Sequence, residues 1–122
     1  MQLLVLILIF LFGASSSLES AETNFQKEKI TFDLNSIDAD GVRGGSYVDY
    51  EFCIPREESQ LTQVKTIDPG IKCFQGSGGR IGCTENEYLC IGSTGLLKDY
   101  RKVLFELAQL EYVKRIDECF WE

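Results

Sequence analysis

Five cysteines, Cys53, Cys73, Cys83, Cys90 and Cys119, are the residues of this chain best suited to chemistry, and no histidine accompanies them. Imidazole is the usual general base near neutral pH and the commonest metal ligand. Its absence removes cysteine–histidine and serine–histidine nucleophiles, HExxH hydrolysis and every zinc site that uses histidine. The cysteines form no CxxC and no four-cysteine zinc spacing, so neither thioredoxin-like chemistry nor a structural zinc is expected. Their main remaining chemistry is pairing. Gly76-Ser77-Gly78-Gly79 is a turn signal between Ile71 to Gln75 and Arg80 to Cys83, which read as a strand and the beginning of its return. A three-residue loop there sets Cys73 opposite Cys83, with Cα atoms about 4.5 to 5.5 Å apart and within disulfide reach. That bridge is the first choice. Cys53 and Cys90 are the second choice, either as a bridge or as a pair of thiols. Cys119 is then unpaired, and is open to readings as a partly buried thiol, an intermolecular bridge or a redox group.

Three polar clusters invite ligand readings. Asp38-Ala39-Asp40-Gly41 has the look of a calcium loop, but Gly41 at the sixth position puts Ser36 at the first and Tyr47 at the twelfth, where carboxylates are needed. It reads as an Asp-Gly turn. Gly76-Ser77-Gly78-Gly79-Arg80 could present amides and a guanidinium to an anion, yet it lacks the P-loop spacing and lysine and reads as a hairpin tip. Gly92-Ser93-Thr94-Gly95 precedes the best helical pattern, where it fits an N-cap or an anion site. No cofactor motif is present, and an enzyme is less expected than a binding module.

The elements that must position these groups follow from periodicity. Leu3 to Ala14 is an apolar run without charge, followed by Ser15 to Ser17. It is shorter than the roughly 20 residues that span hydrocarbon, so residues 1–17 read as a cleaved signal peptide. Residues 18–28 read as a flexible acidic tail, and residues 29–122 as one α+β domain. Ile30, Phe32 and Leu34 alternate as on an extra N-terminal strand, and Val48, Tyr50, Phe52 and Ile54 make the clearest strand. A short helix opening at Pro55 carries Leu61, Val64 and Ile67. Glu87 to Ile91 is a further strand. A helix capped by Ser93 or Thr94 carries Leu97, Tyr100, Val103, Leu104 and Leu107, and Tyr112 to Trp121 reads as a closing strand.

From Ser46 onwards the order is strand, helix, strand, strand, helix, strand, which resembles the βαββαβ split arrangement of ferredoxin-like domains. The expected sheet has helices on one face, its first and third strands parallel and adjacent at the centre, and its last strand beside the first. Tyr47, Asp49, Glu51, Cys53, Tyr88, Cys90 and Trp121 would then share the face without helices, as a surface for a partner.

The chain's 122 residues allow one domain, and 44% apolar with 25% charged residues is the mixture of an ordinary folded globule. A net charge of −7 makes nucleic acid and anionic membrane surfaces poor partners. The leader and cysteines point to a secreted or periplasmic location, where disulfides persist. The expected function is binding of another protein, with a thiol/redox protein or a self-associating structural subunit as alternatives.

Overall fold

The computed structural model describes residues 26–121, so the expected leader and the tail as far as residue 25 lie outside the described residues. Gly44 and Gly45, both at positive φ, turn the chain between β1 (Val42–Arg43) and β2 (Ser46–Tyr47), which form a two-stranded antiparallel sheet. The second sheet comprises β3 (Asp49–Pro55), β4 (Lys72–Phe74), β5 (Glu87–Ser93) and β6 (Asp117–Glu118), in the spatial order β4-β5-β3-β6. Among the described residues the α-helices α1 (Glu58–Ile67) and α2 (Tyr100–Gln109) complete an α+β architecture.

Every pairing in the larger sheet is antiparallel, which corrects the expected parallel contact of the strands holding Cys53 and Cys90. These strands, β3 and β5, are neighbours. However, β5 is antiparallel to both β4 and β3, so the latter two share a direction and β5 must oppose it. The expected N-terminal strand is also absent. Ile30 makes one parallel bridge to Ile116, after which Asp33 accepts a hydrogen bond from the Asn35 amide and opens a 3₁₀ turn over Leu34–Ser36. Ile30, Phe32 and Leu34 still pack against the core, so their alternation marks burial without a ladder. The closing strand contracts to β6. Pro55 ends β3 instead of opening a helix, and Asp99, not Ser93 or Thr94, caps α2 by accepting from the Lys102 amide at 3.2 Å.

The core lies between the helices and one sheet face. Tyr50, Phe52 and Ile54 of β3 stand opposite Gly92, Cys90 and Tyr88 of β5, and Val64, Leu104, Leu107 and Ala108 from the helices join the same buried cluster. Each large apolar side chain buried there contributes about 1.5 to 3 kcal/mol. Gly92 is obligatory: a Cβ on it would stand 2.6 Å from the Tyr50 ring, which lies across β5 at that point. This register moves Tyr88 and Cys90 from the expected outer face to the helix face. Alternation sorts a strand into two sets, but only pairing decides which set meets the helices.

The same register rewires the cysteines. The structure joins Cys53 to Cys83 and Cys73 to Cys90, in place of the expected Cys73–Cys83 and Cys53–Cys90 bridges. The strand returning from β4 begins at Glu87, not Arg80, so Cys73 faces Cys90 directly across the ladder with Cα atoms 4.1 Å apart. Residues 75–86 instead form a loop, tightened by the Gly82 and Cys83 amides donating to the Gly78 carbonyl. Cys83 in that loop reaches Cys53 on the opposite face of the sheet from Cys90, with Cα atoms 5.5 Å apart.

Digestion with trypsin and a glutamate-specific protease without reduction separates the two connectivities. The observed pairing links peptide 52–56 to 81–85 and peptide 73–80 to 88–98; a link between 73–80 and 81–85 would instead restore the hairpin bridge. Replacing Cys53 and Cys83 together by alanine is expected to lower stability in urea unfolding by about 3 to 4 kcal/mol, the chain-entropy value for a loop of that size.

Candidate functional site

Reactive side chains gather on the outer face of the sheet, but the loop over residues 75–86 covers part of it. Glu51, expected to be displayed there, is only 2% exposed, and its Oε1 accepts from the Ile81 amide at 2.7 Å. Cys119, just past β6, donates its backbone N–H to the Asp49 carbonyl at 2.8 Å and its thiol to the Glu51 carboxylate. It is the free cysteine among the described residues, and it is buried. Burial foremost, then the Glu51 carboxylate, pushes its thiol pKa up to about 12. A thiol held so far above neutrality carries almost no thiolate and is a poor nucleophile or redox group. The expected alternative of a Cys53 and Cys90 thiol pair is also corrected, since both are oxidised and point to opposite faces.

A second polar group lies in the core. The Tyr50 hydroxyl donates to Asp68 Oδ2 at 2.7 Å, while Asp68 Oδ1 is buried without a hydrogen-bond partner. Burial raises the Asp68 pKa, against the opposing pull of the Tyr50 hydroxyl and the Gly70 amide, and burial together with Asp68 raises that of Tyr50. Tyr50 and Asp68 are both buried, and their hydrogen bond ties β3 to the C-terminal end of α1. The buried Thr94 hydroxyl does similar work, accepting from the Val48 amide at 3.0 Å and donating to the Gly41 carbonyl at 2.7 Å. Arg43 grips both carboxylate oxygens of Glu118, joining the small sheet to the large one.

Where the loop stops, the outer face opens into a cleft of about 270 Å³. Its walls include Phe74 and Lys72 of β4, Ile91 of β5, Asp49 of β3, Leu96 and Trp121. The Trp121 indole N–H donates to Asp49 Oδ2, which fixes the ring at one end. Leu96, Trp121 and Phe74 are 62%, 69% and 43% exposed, and Tyr47, 60% exposed, lies with its ring against Gly95 beside them. Thus Tyr47, Asp49 and Trp121 of the expected binding face do meet at an accessible surface, whereas Glu51 and Tyr88 are buried. Phe74, Leu96 and Lys72 were missed. Alternation with Cys73 marks Phe74 and Lys72 for the outer face, while a helix opening at Ser93 or Thr94 would enclose Leu96.

The remaining candidates are structural turns. Asp38 Oδ1 accepts from the Asp40 and Val42 amides, and among the described residues no group of three or more histidine, cysteine, aspartate or glutamate side chains is placed to hold a metal. Ser93 caps the 3₁₀ turn Thr94–Leu96. Gly76 to Arg80 belongs to the loop that covers Glu51.

Two measurements check this chemistry. Cys119 is expected to resist alkylation in the native protein at pH 8 and to react fully in denaturant; rapid native labelling would contradict its placement. An aspartate whose folded pKa is raised contributes stability below its unfolded value near 3.9 and loses it as pH rises through the folded value. Urea midpoints should therefore favour the wild type over Asp68→Asn more strongly at pH 3 than at pH 7, and a pH-independent difference would refute the assignment. Comparison with known proteins finds no matching family model, no significantly similar curated protein and no significantly similar solved structure, so the functional reading stands on this geometry alone.

Proposed function

We propose that the chain is an exported, disulfide-stabilised domain of ferredoxin-like arrangement that binds another protein through the outer-face cleft. The observation that carries this reading is the clustering of exposed apolar bulk. Among the described residues, four of the five large apolar side chains that stay exposed, Tyr47, Phe74, Leu96 and Trp121, lie in or beside that cleft. Scattered exposed apolar residues are ordinary, whereas a contiguous set with a polar rim is the composition of an interface centre. The cleft's volume falls below the roughly 300 to 1,000 Å³ of small-molecule pockets, so it suits an inserted side chain better than a free ligand.

The strand order β4-β5-β3-β6 with antiparallel pairings supports the ferredoxin-like description, since it sets one strand between two that share a direction. Two disulfides support a secreted or periplasmic location. Among the described residues no helix is long and apolar enough to cross a membrane.

A photo-crosslinking residue placed at Leu96, in protein expressed in its native compartment, tests the proposal against the same probe at Lys65, an exposed position on α1. The expected result is one adduct of defined mass at position 96 that disappears when Trp121 is changed to serine, with none at position 65. An adduct of twice the chain mass would replace the heterologous partner by a second copy of this chain. Equal labelling at both positions, or none at either, would overturn the interface.

A further inference from the structure

A second concave surface, sharing no lining residue with the outer-face cleft, lies between the segment entering the domain and α2. Its volume is about 400 Å³, within the range of small-ligand pockets. Ile30, Phe32 and Leu34 form one apolar wall and Phe105 of α2 the other, and among the described residues the charged ones that line it, Lys27 and Arg101, are both cations. In a chain of net charge −7, two cations over an apolar floor with no carboxylate among the described lining residues are a local inversion of sign.

Both cations are held in place. Arg101 and Phe105 stand four residues apart on α2, on the same face of the helix. The Arg101 guanidinium donates from Nε to the Tyr100 hydroxyl at 3.1 Å and from Nη2 to the Leu34 and Ile37 carbonyls at 3.1 and 3.3 Å. These bonds fix the planar fork and leave Nη1 without a partner among the described residues. The Lys27 ammonium lies 4.9 Å from the centre of the Phe105 ring, a contact that uses none of its three N–H donors on an acceptor. A fixed guanidinium edge and an ammonium beside aromatic and aliphatic walls are complementary to one anionic head with an apolar tail.

We propose that this groove binds a single-chain aliphatic carboxylate, its head between Lys27 and Arg101 and its chain along Ile30, Phe32, Leu34 and Phe105. Binding needs no covalent step and is independent of the protein-binding reading of the other face.

Titration calorimetry on the full chain as its host produces it, with decanoate below its micellar concentration, tests the assignment. The expected result is saturable binding at one site, about tenfold weaker for decanol, which keeps the tail without the charge, and none for acetate. Lys27→Gln and Arg101→Gln should each weaken decanoate binding about tenfold, while Leu96→Ser leaves it unchanged. The Lys27 side chain makes no hydrogen bond among the described residues, so its variant decides the matter even if Arg101→Gln disturbs the fold. Absence of saturable binding, equal affinity for decanol, unchanged binding by Lys27→Gln, or loss of binding in Leu96→Ser would each overturn the proposal.

Discussion

The register of β3 against β5 is the constraint on which the rest of the structure depends. Setting Phe52 opposite Cys90 and Tyr50 opposite Gly92 decides which side chains meet the helices, because a shift of one residue exchanges the faces of a whole strand. Gly92 reinforces this choice, since any other residue there would collide with the Tyr50 ring. With Tyr50 in place, its hydroxyl reaches Asp68 at the end of α1, so the register also sets where the first helix lies. The Cys73–Cys90 bridge then ties the edge strand β4 to β5 at the level of Phe52.

The opposite face shows how a sheet with helices on one side can be partly closed by a loop. A domain of this size buries a limited apolar core, and a cross-link that restricts the unfolded chain offsets part of that deficit. The Cys53–Cys83 bridge has a second effect. It holds residues 75–86 across β3, where the Ile81 amide meets the Glu51 carboxylate and Cys119 is removed from water. A carboxylate this deep would be costly without such donors. The free thiol is consequently a packed, protonated group, and the part of the outer face that stays accessible is the part the loop does not reach.

Much of this architecture was legible before the structure, and the failures share a cause. Val48 to Ile54 and Leu97 to Leu107 have periods strong enough to specify a strand and an amphipathic helix. Register, by contrast, is a property of two segments together and leaves no mark on either alone. Alternation alone therefore leaves Tyr88 and Cys90 on the outer face and pairs the four bridging cysteines differently from the observed Cys53–Cys83 and Cys73–Cys90. The loop was misread for a local reason: Ser77-Gly78-Gly79 satisfies hairpin chemistry, but the strand that pairs with β4 starts only at Glu87. Trp121 and Asp49 line one accessible surface, with Tyr47 beside it, as the alternation suggests, because their exposure does not depend on the register of β3 against β5. Leu96 lay in a turn whose role depended on where α2 begins.

The outer-face cleft and the groove beside α2 differ in ways that follow from what surrounds them. The outer-face cleft is walled by strand side chains held in the ladder, with Trp121 fixed to Asp49, so its shape is set by the sheet. Its one cation and one carboxylate nearly cancel, and its size admits a side chain. The groove beside α2 is larger, carries two like charges, and is built where a segment that forms no ladder packs against a helix. Rigid, mixed and shallow suits recognition of a folded surface, in which shape complementarity and a central aromatic anchor dominate. Larger, apolar and cationic suits a flexible amphipathic anion, whose head needs fixed donors and whose tail needs only contact. The single fold thus presents two chemically distinct surfaces because one side of it is finished by a ladder and the other by packing alone.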